Sequence, residues 1–249
     1  MKTVCDIPYL STPHERAYLD LYLPDGDING VVVYFHGGGL ISGSKGIHIG
    51  LSPLLESDGL AVVTPNYRLY PNAKYPDYLY DAAAACAWAK SHIGEYGNLV
   101  SDNFYISGSS AGGYISMMLY FDDKYLKSFG FSASDFSGYI FDAGQPTTHF
   151  SILNYDYKTD TRKIMVDEAA PIYHIAEYDG RPPVLIFVSD NDMHGRLSQT
   201  KVLIDTMTDY EYPEDKIILR LIENSTHCSY TCSSVFSDEI SAFYKKTKR

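Results

Sequence analysis

The chain has 249 residues, 45% of them hydrophobic, enough for one large domain with a substantial core. A formal net charge of −11 speaks against nucleic acid as a partner and disfavours anionic membranes and strongly anionic substrates. No window reaches the roughly twenty apolar residues of a membrane span. The first eight residues carry a charge and a proline where a signal peptide needs apolar ones, so a cytoplasmic location is expected.

Apolar β-rich runs alternate with helical patterns along the chain, which predicts βα units and a largely parallel sheet. Residues 17–23 alternate and read as an exposed antiparallel edge strand, with His14 and His48 in the early loops on either side. Residues 31–35 are continuously apolar, as a central parallel strand should be, and run into His36-Gly37-Gly38-Gly39. A strand at 61–66 precedes a helix over 77–93, where Leu79, Ala82, Ala83, Cys86, Ala89 and Ile93 recur at helical spacing. A strand at 104–107 leads into Gly108-Ser109-Ser110-Ala111-Gly112 and a helix over 111–120. After a strand at 138–142, residues 145–183 are irregular and rich in tyrosine, aspartate and proline. They are expected to form a small cap within a single domain spanning 1–249. Strands at 184–189 and 217–222 and a helix over 238–245 complete the pattern, with a basic end suited to the last turn.

The two glycine motifs carry the chemistry. In the G-x-S-x-G register Ser110 is central, on a sharp strand-to-helix turn that presents its hydroxyl. Ser109 fits only the variable position. A plain phosphate-binding turn is the competing reading, but the spacing matches neither phosphate-loop pattern. The glycines after His36 can aim backbone N–H groups at the oxyanion that serine attack creates. A serine needs a base, and the base needs an acid to orient it. His227, beyond the last strand, is the expected base; His194 is a rival, only two residues from Asp192. His92 ends a helix, and His149 and His174 fall in the cap. Asp190 and Asp192 both follow the strand at 184–189, and spacing does not choose between them. The four cysteines make no metal pattern, and Cys86 reads as a buried thiol. Cys228 and Cys232 are close enough to pair, although reduced thiols suit a cytoplasmic protein better.

These residues resemble the α/β-hydrolase esterases of the hormone-sensitive-lipase and bacterial carboxylesterase type, along nearly the whole chain. His36-Gly37-Gly38-Gly39 is similar to the family's oxyanion motif, and Gly43-Ser44-Lys45 to a continuation seen in its acetyl- and feruloyl-esterase-like members. Asn66-Tyr67-Arg68-Leu69 with Pro71, then Asp81 and Trp88, then Asp102 ahead of the serine motif, follow the family pattern. The resemblance selects Asp192 as the acid and implies an oxyanion hole built from the N–H groups of Gly38, Gly39 and Ala111, with Gly37 a poorer donor. It implies an α/β-hydrolase fold, a mostly parallel sheet with helices on both faces. Hydrolysis of short acyl esters through an acyl-enzyme follows, with a small-molecule ester as the partner and no metal or organic cofactor. Amidases and formamidases use the same triad, and some relatives keep the pocket without the chemistry, so both remain alternatives. Met193-His194 stand where proline-leucine is frequent, Leu40 replaces an aromatic residue, and the long N-terminal cap of the larger lipases is missing. Tyr155, Tyr157 and Tyr173 could stack on a sugar or phenolic ester.

Overall fold

In a computed structural model, which describes residues 2–46 and 51–249, eight strands among the described residues form one sheet. His48 lies outside the described residues. The strands are β1 (Lys2–Pro8), β2 (Tyr18–Leu23), β3 (Gly30–Phe35), β4 (Leu60–Pro65), β5 (Phe104–Ser109), β6 (Gly138–Asp142), β7 (Val184–Asn191) and β8 (Ile217–Thr226). Their order is β1-β2-β4-β3-β5-β6-β7-β8. Strand β2 runs antiparallel to both neighbours, and every pair from β4 through β8 is parallel.

The strand at 17–23 is antiparallel as expected but is not an exposed edge. Strand β1 pairs along its outer side, and Leu19 to Leu23 are all buried. The polar members of the alternation mislead here. Asp20 is only 5% exposed and is neutralised by Lys45 at 2.5 Å, while also accepting the Asp6 N–H. Strand β1 escapes a reading of apolar runs because its residues, apart from Ile7, are at most partly buried.

Strand β3 explains the layering. Val31, Val33 and Phe35 point to one core, and Val32 and Tyr34 to the other. A strand covered on both faces has no reason to alternate polarity, so it reads as one apolar run. The first core is closed by α2 (Asp77–His92), α3 (Ala111–Phe121) and α6 (Arg196–Asp209), the second by α1 (Ser52–Ser57) and α7 (Ser234–Thr247). Full burial of a side chain such as Phe35 contributes about 2–3 kcal/mol. Within α2, Asp81 is 2% exposed and takes a bidentate Arg68 at 2.8 and 2.9 Å. That pair ties the loop after β4 to the helix and accounts for both residues of the family-like segment.

Between β6 and β7 the described chain forms no strand, only α5 (Phe150–Tyr155) and a short 3-10 turn at Pro171–His174. A four-residue helix, α4 (Lys124–Lys127), follows α3. No helix among the described residues is long and apolar enough to cross a membrane.

Candidate active site

Strand β5 ends at Ser109 and α3 starts at Ala111, so Ser110 alone makes the turn. It adopts φ 56° and ψ −112°, a conformation that costs a side-chain-bearing residue about 1–3 kcal/mol. The surroundings enforce it. Ser110 N–H donates to the Asp142 carbonyl at 2.8 Å, and its own carbonyl accepts from Tyr114 N–H at 3.0 Å. Gly112 is required by close approach: a Cβ there would sit 2.0 Å from the Phe35 carbonyl oxygen. The result is a hydroxyl held out at the C-terminal edge of the sheet, where parallel strands gather their loops.

Two further loops meet it. In the parallel β7–β8 pair, Asn191 stands opposite Thr226 after a register shift, so Asp192 and His227 leave the sheet side by side. His227 Nδ1 lies 2.6 Å from Asp192 Oδ1, and Nε2 lies 2.8 Å from Ser110 Oγ. This chain of contacts fits a neutral imidazole with its proton on Nδ1, donating to Asp192 and accepting from the Ser110 hydroxyl. The Asp192 side chain is 1% exposed and also accepts from Met193 N–H at 2.7 Å and from the Ser189 hydroxyl at 3.2 Å. Burial pushes its carboxyl up, but His227 and these donors pull it net below the ordinary carboxylate value.

The other candidates are engaged elsewhere. Asp190 is exposed and accepts the N–H groups of Asn224 and Ser225 at 2.9 and 3.2 Å, which lowers its carboxyl and anchors the end of β8. His194 is exposed and lines a neighbouring cleft. His14 bonds Asp81, His92 the Trp88 carbonyl and His174 the Glu168 carbonyl. His149 is buried and caps α5 by accepting Ser151 N–H. Strand β8 also runs on to Thr226, so His227 follows it directly where a four-residue loop was expected.

The His36 loop is rigidly held. Burial pushes the His36 imidazole down to about 4, so it stays neutral, donating from Nδ1 to the Gly37 carbonyl at 2.7 Å. Arg16 donates to its Nε2 at 3.3 Å and to the Gly43 carbonyl at 2.9 Å, and Tyr67 stacks on the ring at 4.3 Å. Gly38, at φ 110°, is the position where only glycine fits, since a Cβ would meet the Ser42 carbonyl oxygen at 2.3 Å. The Ser151 hydroxyl donates to the Gly39 carbonyl and so fixes the loop just past Gly39. Among the described residues, no acceptor within the protein takes the N–H of Gly38, Gly39 or Ala111. Gly38 and Gly39 line a cleft of about 350 Å³ with Ser110, His227, Met193 and Cys228.

A layer beneath the serine was not anticipated. The fully buried Asp142 accepts hydrogen bonds from the Ser109 and Tyr230 hydroxyls, and Tyr34 donates to Ser109 Oγ at 2.9 Å. Burial raises the Asp142 carboxyl to about 6, against the pull of those hydroxyls. The one available signal was an aspartate closing an apolar strand. The Cys228 thiol lies 3.8 Å from His227 Nε2, and burial pushes it up, so it remains a thiol. No disulfide forms among the described residues, and no group there could hold a metal ion. Of the three tyrosines that could stack on substrate, Tyr155 is stacked on Tyr70 at 4.8 Å, Tyr157 and Tyr173 are exposed, and none of the three lines the serine cleft.

Comparison with known proteins agrees with this architecture. Residues 19–136 match the family model described as BD-FAE, a span that includes both glycine motifs but ends before Asp192 and His227. An acetyl esterase of Salmonella schwarzengrund (strain CVM19633) is 30% identical over 126 residues, 49% of this chain and 38% of that protein. An acetyl esterase of Salmonella typhi is 31% identical over 121 residues, 47% of this chain and 37% of that protein. The matched region thus spans well under half the length of these curated relatives. Among solved structures, a truncated carbohydrate esterase from gut microbiota superposes with a TM-score of 0.83 at 19% identity, covering 99% of this chain and 96% of that one. Esterase B from Lactobacillus rhamnosis gives 0.78 at 17% identity, covering 99% and 85%. The chain has the α/β-hydrolase fold, and over residues 19–136 it is similar to the BD-FAE family, as the resemblance to esterases in its sequence implies.

Proposed function

We propose that this chain is a serine carboxylesterase acting on short acyl, acetyl-like esters, with Ser110 as nucleophile, His227 as base and Asp192 as its orienting acid. The observation that carries the reading is the unbroken contact path from Ser110 Oγ through His227 to the buried Asp192, beside N–H groups that lack an internal acceptor. His227 Nε2 takes the Ser110 proton as Oγ bonds to the ester carbonyl carbon. The carbonyl electrons move onto oxygen, which rests against the N–H groups of Gly38, Gly39 and Ala111, each worth about 2.7–4 kcal/mol in the transition state. The positive end of α3 points at the same place. Asp192 stays ionised and stabilises the imidazolium. His227 then hands its proton to the departing alkoxide oxygen. Water attacks the acyl-enzyme, gives its proton to His227, and the acid product leaves as Ser110 recovers its own. Residues 145–183 act as a small cap beside this cleft, in one domain with the rest of the chain.

A short acyl group suits the 350 Å³ cleft. The test is turnover of p-nitrophenyl acetate, butyrate and octanoate beside p-nitroacetanilide. The expected order places acetate and butyrate above octanoate by about tenfold or more in kcat/KM, with the anilide slowest. Faster cleavage of the anilide than of the acetate would replace the esterase reading by an amidase one.

A further inference from the structure

A second cleft of about 540 Å³ adjoins the serine cleft and shares Met193 with it as a dividing wall. Phe150 forms the same wall on the side of the oxyanion loop, its ring 3.2 Å from where a Gly39 Cβ would lie. Behind the wall the lining turns polar and cationic, with Arg162, Lys163, Arg196, His194, Gln145 and Gln199. No carboxylate lines it, although the chain as a whole carries −11.

Arg196 is the anomaly. It opens α6, is only 4% exposed, and its Nη1 is buried with no hydrogen-bond partner. No ion pair among the described residues involves its guanidinium. Asp192, the carboxylate whose charge it feels most, is already occupied by His227, Met193 N–H and Ser189. Burial, opposed only in part by the Asp192 charge, pushes the guanidinium down to about 10. A buried cation in this state is expensive unless something completes it, and a planar fork of donors is matched by a carboxylate. A second donor stands ready. Thr147 donates to Gln199 Oε1 at 3.0 Å, which leaves the Gln199 NH2 group as a donor beside Arg196. The exposed Lys163 at the rim adds attraction at longer range, whereas the charge of Arg162 is met by Asp160 at 2.6 Å.

We infer that this cleft binds a carboxylate of the substrate through Arg196 and Gln199, so that the preferred esters carry a carboxylate on a short tether from the scissile bond. The inference rests on the esterase reading above and narrows its substrate class. It also reverses locally what the net charge suggests. The carboxylate can belong to either half of the ester, and the test separates the two.

Monomethyl adipate is compared with methyl hexanoate for an acyl-side carboxylate. The acetate ester of ω-hydroxybutyrate is compared with butyl acetate for an alcohol-side one, all followed by pH-stat. The expected result is about a tenfold or larger preference in kcat/KM for the charged member of one pair. Arg196→Met should bring that ratio near one, and Lys163→Gln should lower it less. Taking the ratio within each variant cancels any loss of folded protein. Adipate, independently of turnover, should raise the Tm of the wild type above its value in chloride of equal ionic strength, and not that of Arg196→Met. Ratios near one on both arms with no adipate shift, or a preference that survives in Arg196→Met, would overturn the inference. Absence of turnover on all four esters would count against the esterase reading instead.

Discussion

Asp190 and Asp192 show how the fold gives two neighbouring carboxylates different work. Asp190 is spent on backbone N–H groups of the β8 end, whereas Asp192 is sealed under His227. Local sequence left the choice open because reach depends on the register of β7 against β8, and on the shift between Ser189 and Asn191. No short-range pattern encodes that. Asp192→Asn should therefore lower kcat on p-nitrophenyl acetate by roughly 10⁴-fold, because the amide NH2 favours the wrong His227 tautomer and no negative charge remains to stabilise the imidazolium. Asp190→Asn should cost less than about tenfold, since an amide oxygen can still accept one of the two N–H groups. Equal losses in both variants would show that the contact at His227 is not what matters.

Asp142 works at the level of elements, since it ends β6, takes the Ser109 hydroxyl from β5 and takes Tyr230 from the turn after His227. Its carboxyl titrates near 6 when folded against 3.8 ordinarily, so between those values the folded chain holds a proton that the unfolded chain has lost. Stability from this group is therefore full below about pH 4 and is lost as pH rises through 6, by about 3 kcal/mol in all. The unfolding free energy of wild type minus that of Asp142→Asn should fall by about that amount between pH 4 and 7, measured by urea titration. A difference that stays flat or rises with pH would contradict the burial argument. The elements hardest to read share one trait, which is a small apolar share. Helix α6 buries only Arg196, Thr200, Leu203 and Met207, and β1 buries only Ile7. The central strands and α2 were legible because both faces or a broad face are covered, and continuous apolarity records that directly.

At the scale of the whole molecule, strand order does the assembly. With β5, β6, β7 and β8 parallel and adjacent, residues more than a hundred positions apart arrive at one sheet edge, Ser110 and His227 among them. The glycine motifs made that edge visible in the sequence, since each answers a steric demand that only glycine meets. The carboxylate-lined layer under Ser110 and the cation-lined cleft beside it left no such mark, because both depend on packing between distant segments. Net charge was equally silent about the latter, being an average over the surface. The central claim is that the fold turns Ser110 into a nucleophile. It is tested most directly by incubating the protein with a fluorophosphonate and mapping the adduct by peptide mass spectrometry. The expected result is one stoichiometric adduct on Ser110, formed far more slowly in a His227→Ala variant. Labelling at another residue, or a folded wild-type protein that takes up no label, would contradict it.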